Sequence, residues 1–348
     1  MTCDDAIKIS RKFLRGIVVG LVLAGLAWIV FAPRLPSLPT AEPPQFLGVP
    51  DDFKRVGDAV QAEFVEPFQA VAHGIEQQDN TAKNVRLYDA CPTLDAGPQQ
   101  AGSCVAWGGT RAQYVRACVT ALKAGIPPPK SEFDPSYAYG ITRVQIGNNS
   151  IPCRSDGAYP SDFVRGMKQF GFVYRDEVLA RGFNYSGALD REWGCSGPPR
   201  DLIALGKTRD GGDAYPIRSI DEWRDAIANG YPLTVAFPWK PGRVYAGADG
   251  RSCMAFDGPN KGGHQISSLA YDGSSGKPYW LLFNSHGSNW PAGAKRDDGT
   301  PPGSIWVDEK WARWIVANGE LWAISDVPGF EAEELDLRVF DDLKLSRK

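Results

Sequence analysis

The chain has 348 residues, 43% of them hydrophobic and 23% charged, and a formal net charge of −3. That length holds one large domain or two small ones with a proper core. The charge balance gives no basis for nucleic-acid binding, and no Gly-rich phosphate loop, internal repeat or basic patch with interleaved aromatics is present.

The first element, GIVVGLVLAGLAWIVFA over residues 16–32, carries no charge. It is near the lower limit of about 17 apolar residues for a membrane-spanning helix. Lys8, Arg11, Lys12 and Arg15 precede it, and Arg34 leads into a Pro-rich and then acidic stretch. The positive-inside rule therefore puts residues 1–15 in the cytoplasm and everything after Pro33 outside. A cleaved signal peptide is the competing reading. No good small-x-small site is in place and Pro33 obstructs cleavage after Ala32, so an uncleaved signal anchor is expected, with the rest of the chain on the periplasmic or extracellular face. Cys3 then stays inside, whereas Cys91, Cys104, Cys118, Cys153, Cys195 and Cys253 meet an oxidising space where disulfides persist. None is spaced as CxxC or set beside a nearby His, so the spacing gives no zinc site.

Residues 33–85 read as a stiff Pro-rich linker followed by an amphipathic helix. Phe53, Val56, Val60, Phe64, Phe68, Val71 and Ile75 recur at spacings of three and four, with a kink at Pro67. This helix is a stalk or docks on the main domain, and His73 within it reads as a surface or packing residue. Residues 86–200 are mainly helical. One helix follows Cys104, another begins near DPSYAYG, and a third, PSDFVRGMKQF, is closed by Gly171. From 201 to 328 the period changes: YPLTVAF, HQISSLAY, YWLLFN, GSIWV and ELWAIS read as strands, with a helix at SIDEWRDAIANG. An acidic tail covers 329–348. Helices followed by strands predict an α+β fold in two lobes, with a ligand cleft between them.

Two places carry chemistry. Cys104 stands where the Gly/Ser turn of PQQAGSC becomes a helix, and free N–H groups and the positive end of the macrodipole favour a thiolate there. His264 opens the strand HQISSLAY, and the turn signal DGSSGKP separates it from YWLLFNS. A hairpin centred near Ser274 sets position 264 opposite 284 or 285, so Asn284 falls beside His264 and can orient its ring.

With these residues in place the chain resembles the papain-like cysteine peptidases over roughly 86–327. AGSCVAW resembles their nucleophile motif, GGHQISSLAYD their histidine segment, YWLLFNSHGSNW their asparagine segment, and CRSDGAYPSDFVRGMKQFG their substrate strip and following helix. The resemblance implies a helical lobe carrying Cys104 and a β-rich lobe carrying His264 and Asn284. It implies an acyl-enzyme mechanism, with Gly157, Ala158, Tyr159, Pro160, Gly263 and Trp290 lining the substrate cleft. It implies no cofactor.

The chain also departs from the family. Pro98 stands at the place of the oxyanion glutamine, so Gln99 or Gln100 has to serve. Ala101 replaces a cysteine, Val105 replaces a tryptophan after the nucleophile, and His286 replaces the tryptophan that shields the Asn–His pair. No long helical propeptide with an inhibitory motif is present between 34 and 85. Cys153 and Cys195 flank the segment the family pins with disulfides, which implies a bond between them; Cys91 with Cys118 is the second expected pairing, leaving Cys253 free. An unperturbed His286 titrates near pH 6.5, which predicts an acid limb of activity between about pH 5 and 7. The functional classes that remain are a membrane-anchored cysteine peptidase acting on peptides or proteins, a papain-like binding or scaffold module with impaired catalysis, and a Cys–His amidase acting on cell-wall peptides.

Overall fold

The structure, a computed structural model, describes residues 47–61, 84–209, 211–295 and 299–325. The expected segments 1–15, 16–32 and 329–348 lie outside the described residues, as do Phe64, Pro67, Phe68, Val71, His73 and Ile75 of the linker helix. No helix among the described residues is long and apolar enough to cross a membrane.

The first half of the chain is mainly helical. It runs α1 (Phe53–Gln61), β1 (Asn84–Arg86), a 3-10 turn (Leu87–Ala90), α2 (Cys104–Lys123), α3 (Pro135–Gly140), α4 (Pro160–Phe170), α5 (Arg175–Ala180), α6 (Gly187–Ser196) and α7 (Arg200–Gly206). A π-helical turn, Ile141–Ile146, continues α3. The second half contributes β2 (Ala214–Pro216), α8 (Ile220–Ala228), β3 (Leu233–Pro238), β4 (Val244–Ala246), β5 (Ser252–Met254) and β6 (Gly263–Asp272). It ends with β7 (Tyr279–Phe283), β8 (Ser304–Asp308), α9 (Glu309–Asn318) and β9 (Glu320–Ile324). The helix starts follow local chemistry: the Asp134 carboxylate accepts from the Tyr137 N–H at 2.8 Å to open α3, and Ser219 accepts from the Glu222 N–H to open α8. Gly171, at φ 63°, closes α4 as expected.

The strands form one sheet in the order β2-β9-β3-β6-β7-β8-β5-β4, with β1 added on β6. Every pairing is antiparallel except β5 with β8. The β6–β7 hairpin corrects the expected register. Asp272 pairs with Tyr279 and Ala270 with Leu281, then a bulge shifts the ladder so that Ser267 pairs with Phe283. Continued three residues further, this register sets 264 level with 286 rather than with 284 or 285. The pairing of Asp272 with Tyr279 centres the turn between Ser275 and Gly276 rather than at Ser274, which alone would set 264 level with 287, and the bulge takes one residue back.

Helix α2 joins the two halves. Every residue from Cys104 to Ala121 is buried. Its first turn packs with Tyr137, Ala158, Phe163 and Ala236, while Tyr114, Val115, Cys118 and Val119 belong to the core of the sheet. Gly108 is what lets α2 press on β6: a Cβ there would meet the Ile266 backbone at 3.0 Å. Ser267 Oγ donates to the Gly108 carbonyl at 2.8 Å, and Gln265 Nε2 donates to the Val105 carbonyl at 3.0 Å. Disulfides join Cys91 to Cys118 and Cys153 to Cys195, and Cys104 and Cys253 are the free cysteines among the described residues, as expected.

Helix α1 docks on the fold at α4 and β9. Phe53, Gly57, Val60 and Gln61 face inward, and Gln61 Nε2 donates to the Leu321 carbonyl at 3.3 Å. The described part of the linker helix is therefore a docked element and not a free stalk.

Candidate active site

Cys104 is the first residue of α2 and is fully buried. The loop before it is pinned from both sides. Ser103 Oγ donates to the Asp190 carboxylate at 2.6 Å, and the Gly102 N–H donates to Asp156 at 3.0 Å. Asp190 also accepts from Ser136 Oγ at 2.6 Å, so one buried carboxylate ties the start of α2 to α3 and α6. Nothing local in the sequence marks Asp190, because its partners are far away along the chain.

His264, near the start of β6, is buried as well. Its Nε2 lies 2.8 Å from Asn284 Oδ1, and its Nδ1 has no hydrogen-bond partner. The Ser285 N–H donates to the same Oδ1 at 2.7 Å, which identifies that end of the amide as the oxygen. Nε2 therefore carries the proton, and Nδ1 is the free basic nitrogen. The residue after His264, Gln265, directs its backbone N–H to the Cys104 sulfur. His264 and Asn284 thus lie hydrogen-bonded to each other, and the residue after His264 meets Cys104 at the tip of α2. Sequence reasoning missed Arg111, whose guanidinium lies between the Trp107 and Phe283 rings and donates to the Asn284 carbonyl at 3.1 Å. A charged residue in the middle of an apolar helix was the available signal.

The two glutamines separate. Gln99 is buried; its Nε2 donates to the Ala101 carbonyl at 3.0 Å and its Oε1 accepts from Ser285 Oγ, beside Asn284. Gln100 is exposed, and its side chain accepts from the Gly187 N–H at 3.3 Å, turned toward α6. Trp290 packs against His286 and Trp239. Trp239, just after β3, stands edge-on to His264 with centroids 4.6 Å apart. It covers the pair that the missing tryptophan at 286 was expected to leave open.

His286 departs from its expected behaviour. Its ring stacks on His264 at 4.7 Å and is almost fully buried. Burial, followed by the nearby His264 and Arg111, holds its pKa well below the ordinary 6.5. Any acid limb that this residue contributes is therefore displaced below the range set by an unperturbed histidine.

The strip expected to line the substrate cleft is occupied by the chain itself. The Ala158 N–H donates to the Gly48 carbonyl at 2.8 Å, and the Val49 N–H donates to the Gly263 carbonyl at 3.2 Å. Tyr159 Oη donates to Asp52 at 3.0 Å, and Gly157 passes so close to Gly48 that a Cβ there would lie 3.0 Å from its carbonyl oxygen. Pro160 opens α4 beneath this run. Gly48 in turn directs its N–H at the Cys104 sulfur and passes so close to Gly102 that a Cβ on Gly48 would lie 1.7 Å from the Gly102 oxygen. The sequence carries no recognisable propeptide, yet residues 47–50 cover the nucleophile. What meets the sulfur is an amide N–H, which offers a thiolate no carbonyl carbon to attack.

Burial sets the charge state of the covered site. It pushes the Cys104 thiol up to about 12, against the donated backbone N–H groups, and pulls His264 down to about 4, against its bond to Asn284. Thiol and imidazole are both neutral while the segment is in place. Among the described residues no group of side chains could hold a metal ion.

No protein-family model and no curated protein matches the chain. Among solved structures it is similar to xylellain, a cysteine protease from Xylella fastidiosa, at 16% identity and a TM-score of 0.49, over 75% of this chain and 90% of that one. It is similar to procathepsin B from Trypanosoma congolense at 12% identity and a TM-score of 0.49, over 75% and 82%. It is also similar to digestive procathepsin L 3 of Tenebrio molitor larval midgut at 14% identity and a TM-score of 0.44, over 76% and 79%. At these identities and scores the chemistry of the chain has to be read from its own side chains.

Proposed function

We propose that the protein is a cysteine peptidase of the papain-like type, anchored in the membrane by residues 16–32 with its catalytic part outside the cytoplasm. The observation that carries this reading is the orientation of His264: its Nε2 is engaged by Asn284 at 2.8 Å and its Nδ1 is left unpaired, while the next residue, Gln265, turns its backbone N–H to the Cys104 sulfur. With the cleft open, His264 takes the Cys104 proton and the thiolate attacks a peptide carbonyl. The C–N bond breaks, His264 protonates the leaving amine, and a thioester remains on Cys104. Water activated by His264 then hydrolyses that thioester and restores the thiol. The Cys104 N–H and the Gln99 amide are the donors for the tetrahedral oxyanion, Gln99 after leaving Ala101. Gln100 is set aside for this role because it is exposed and turned toward α6, whereas Gln99 is buried beside Asn284 through Ser285.

The peptide class of substrate is supported by the way Ala158 and Gly263 hydrogen-bond an extended main chain from both sides. The two disulfides support an oxidising compartment. Digestion of a peptide library alongside cell-wall fragments tests the reading. Hydrolysis of peptides by the wild-type chain, lost by at least 1,000-fold in Cys104→Ala, is expected, an order of magnitude in keeping with removal of a nucleophile. Cleavage of cell-wall fragments alone would assign the same triad to an amidase, and no cleavage of either, even by a Gly48→Val chain whose added Cβ collides with Gly102 and displaces the covering segment, would leave a binding module.

A further inference from the structure

The carboxamide of Asn284 is fully buried and each of its atoms is spoken for. Oδ1 accepts from the Ser285 N–H at 2.7 Å and from His264 Nε2–H at 2.8 Å. That leaves Nδ2, which lies 3.1 Å from His286 Nδ1. An imidazole nitrogen accepts a hydrogen bond only when it is unprotonated, so His286 carries its proton on Nε2. We propose that His286 is a positioning residue for the triad, its Nδ1 lone pair holding the Asn284 amide so that Oδ1 faces His264.

This rests on the peptidase reading, and it deepens it through a tautomer argument. The three side chains form a hydrogen-bonded series with one direction: Asn284 Nδ2–H to His286 Nδ1, and His264 Nε2–H to Asn284 Oδ1. Reversing the amide would set N–H against N–H at His264 Nε2, and the His264 proton would have to move to Nδ1. Nδ1 is the nitrogen that must accept the Cys104 proton, so the reversed series disarms the base. A tryptophan at 286 could shield the pair but has only an N–H to offer, whereas histidine supplies an acceptor. The groups facing the ring favour the neutral form. Arg111 from α2 and His264 from β6 both disfavour a second cation, and Trp239 and Trp290 close the sides at 5.9 and 6.1 Å. Burial holds the His286 pKa well down, in the same direction.

The chain has three histidines, His73, His264 and His286, which makes the tautomer readable. Long-range proton–nitrogen NMR of the full chain labelled with 15N-histidine, at neutral pH, should show His286 protonated at Nε2 and bare at Nδ1. A proton on Nδ1 overturns the proposal without reference to activity. Peptide hydrolysis gives the second readout. His286→Phe, which fills the space without an acceptor, should lower kcat about tenfold with KM little changed, about the worth of one buried hydrogen bond. His286→Gln, whose side-chain oxygen can accept, should recover most of that loss. A His286→Phe rate equal to wild type, or His286→Gln no better than His286→Phe, overturns it. If no peptide is hydrolysed by the wild-type chain while the NMR shows the expected tautomer, it is the peptidase reading that fails.

Discussion

Cys104 and His264 are both buried as neutral groups, and that has a measurable cost in acid. The folded value for His264 is about 4, below the ordinary 6.5. Its neutral form therefore contributes stability in full above about pH 6.5, and the contribution is lost as pH falls through 4. The difference is roughly 3 kcal/mol for this one residue, and His286, shifted in the same direction, adds to it. The melting temperature should fall steadily between about pH 6.5 and 4, and His264→Gln should flatten part of that slope. A melting temperature constant over this range would contradict the burial argument. The residues of this site were unevenly legible in the chain. Cys104 at a loop–helix junction and His264 at a strand start carry local signals. Asp190 and Arg111 act on atoms distant in sequence, and only the fold brings them there. The lowered pKa of His286 was illegible for the same reason: it follows from burial and from the nearby His264 and Arg111, none of which its neighbours in sequence announce.

Among the elements, α1 and the run before it have the clearest dependence on conditions. Gly57 of α1 rests directly on Glu320 at the start of β9, where a Cβ would come 2.2 Å from the carboxyl oxygen. Glu320 is buried; its Oε1 accepts from Trp322 Nε1 at 2.8 Å and its Oε2 has no hydrogen-bond partner. Burial raises its pKa from 4.5 to about 8, and the nearby Asp58 and Asp162 act in the same direction while Lys54 opposes them. A carboxyl whose folded value is raised favours the docked state fully below about pH 4.5, and that advantage is lost as pH rises through 8. Amide protection over residues 54–61, corrected for intrinsic exchange, should weaken as pH climbs from 5 to 8 and should lose this trend in Glu320→Gln. Protection that is the same at both ends of the range would rule out Glu320 as the cause. The main strands and helices were readable from periodicity and caps, because each repeats a local rule. The short strands β2, β4 and β5 escaped because three residues carry no period. The bulge in β6 escaped because it is a property of the pairing and not of either strand alone.

For the molecule as a whole, α2 runs between two cores and carries Cys104, the proposed nucleophile, at its tip, while the chain's own residues 47–50 lie over that tip. On the proposed reading, the chain keeps Cys104, His264 and Asn284 buried beneath its own residues 47–50. Gly48 is the point at which the cover can be lifted without touching the site. Any Cβ there would collide with the Gly102 backbone, so Gly48→Val should expel the segment. Cys253, also free and buried and with a thiol pushed up to about 12, serves as the internal reference. The most direct measurement is therefore mass-spectrometric labelling of the full chain by a mild thiol-reactive epoxide at neutral pH, in wild type, Gly48→Val and Gly48→Val with His264→Ala. Cys104 should be modified at least tenfold faster in Gly48→Val than in wild type, with the gain lost when His264 is replaced and Cys253 unchanged throughout, on the order of the ionisation advantage a neighbouring histidine confers. Cys104 reacting no faster than Cys253 in Gly48→Val, or reacting equally well without His264, would contradict the assignment of Cys104 as a histidine-activated nucleophile.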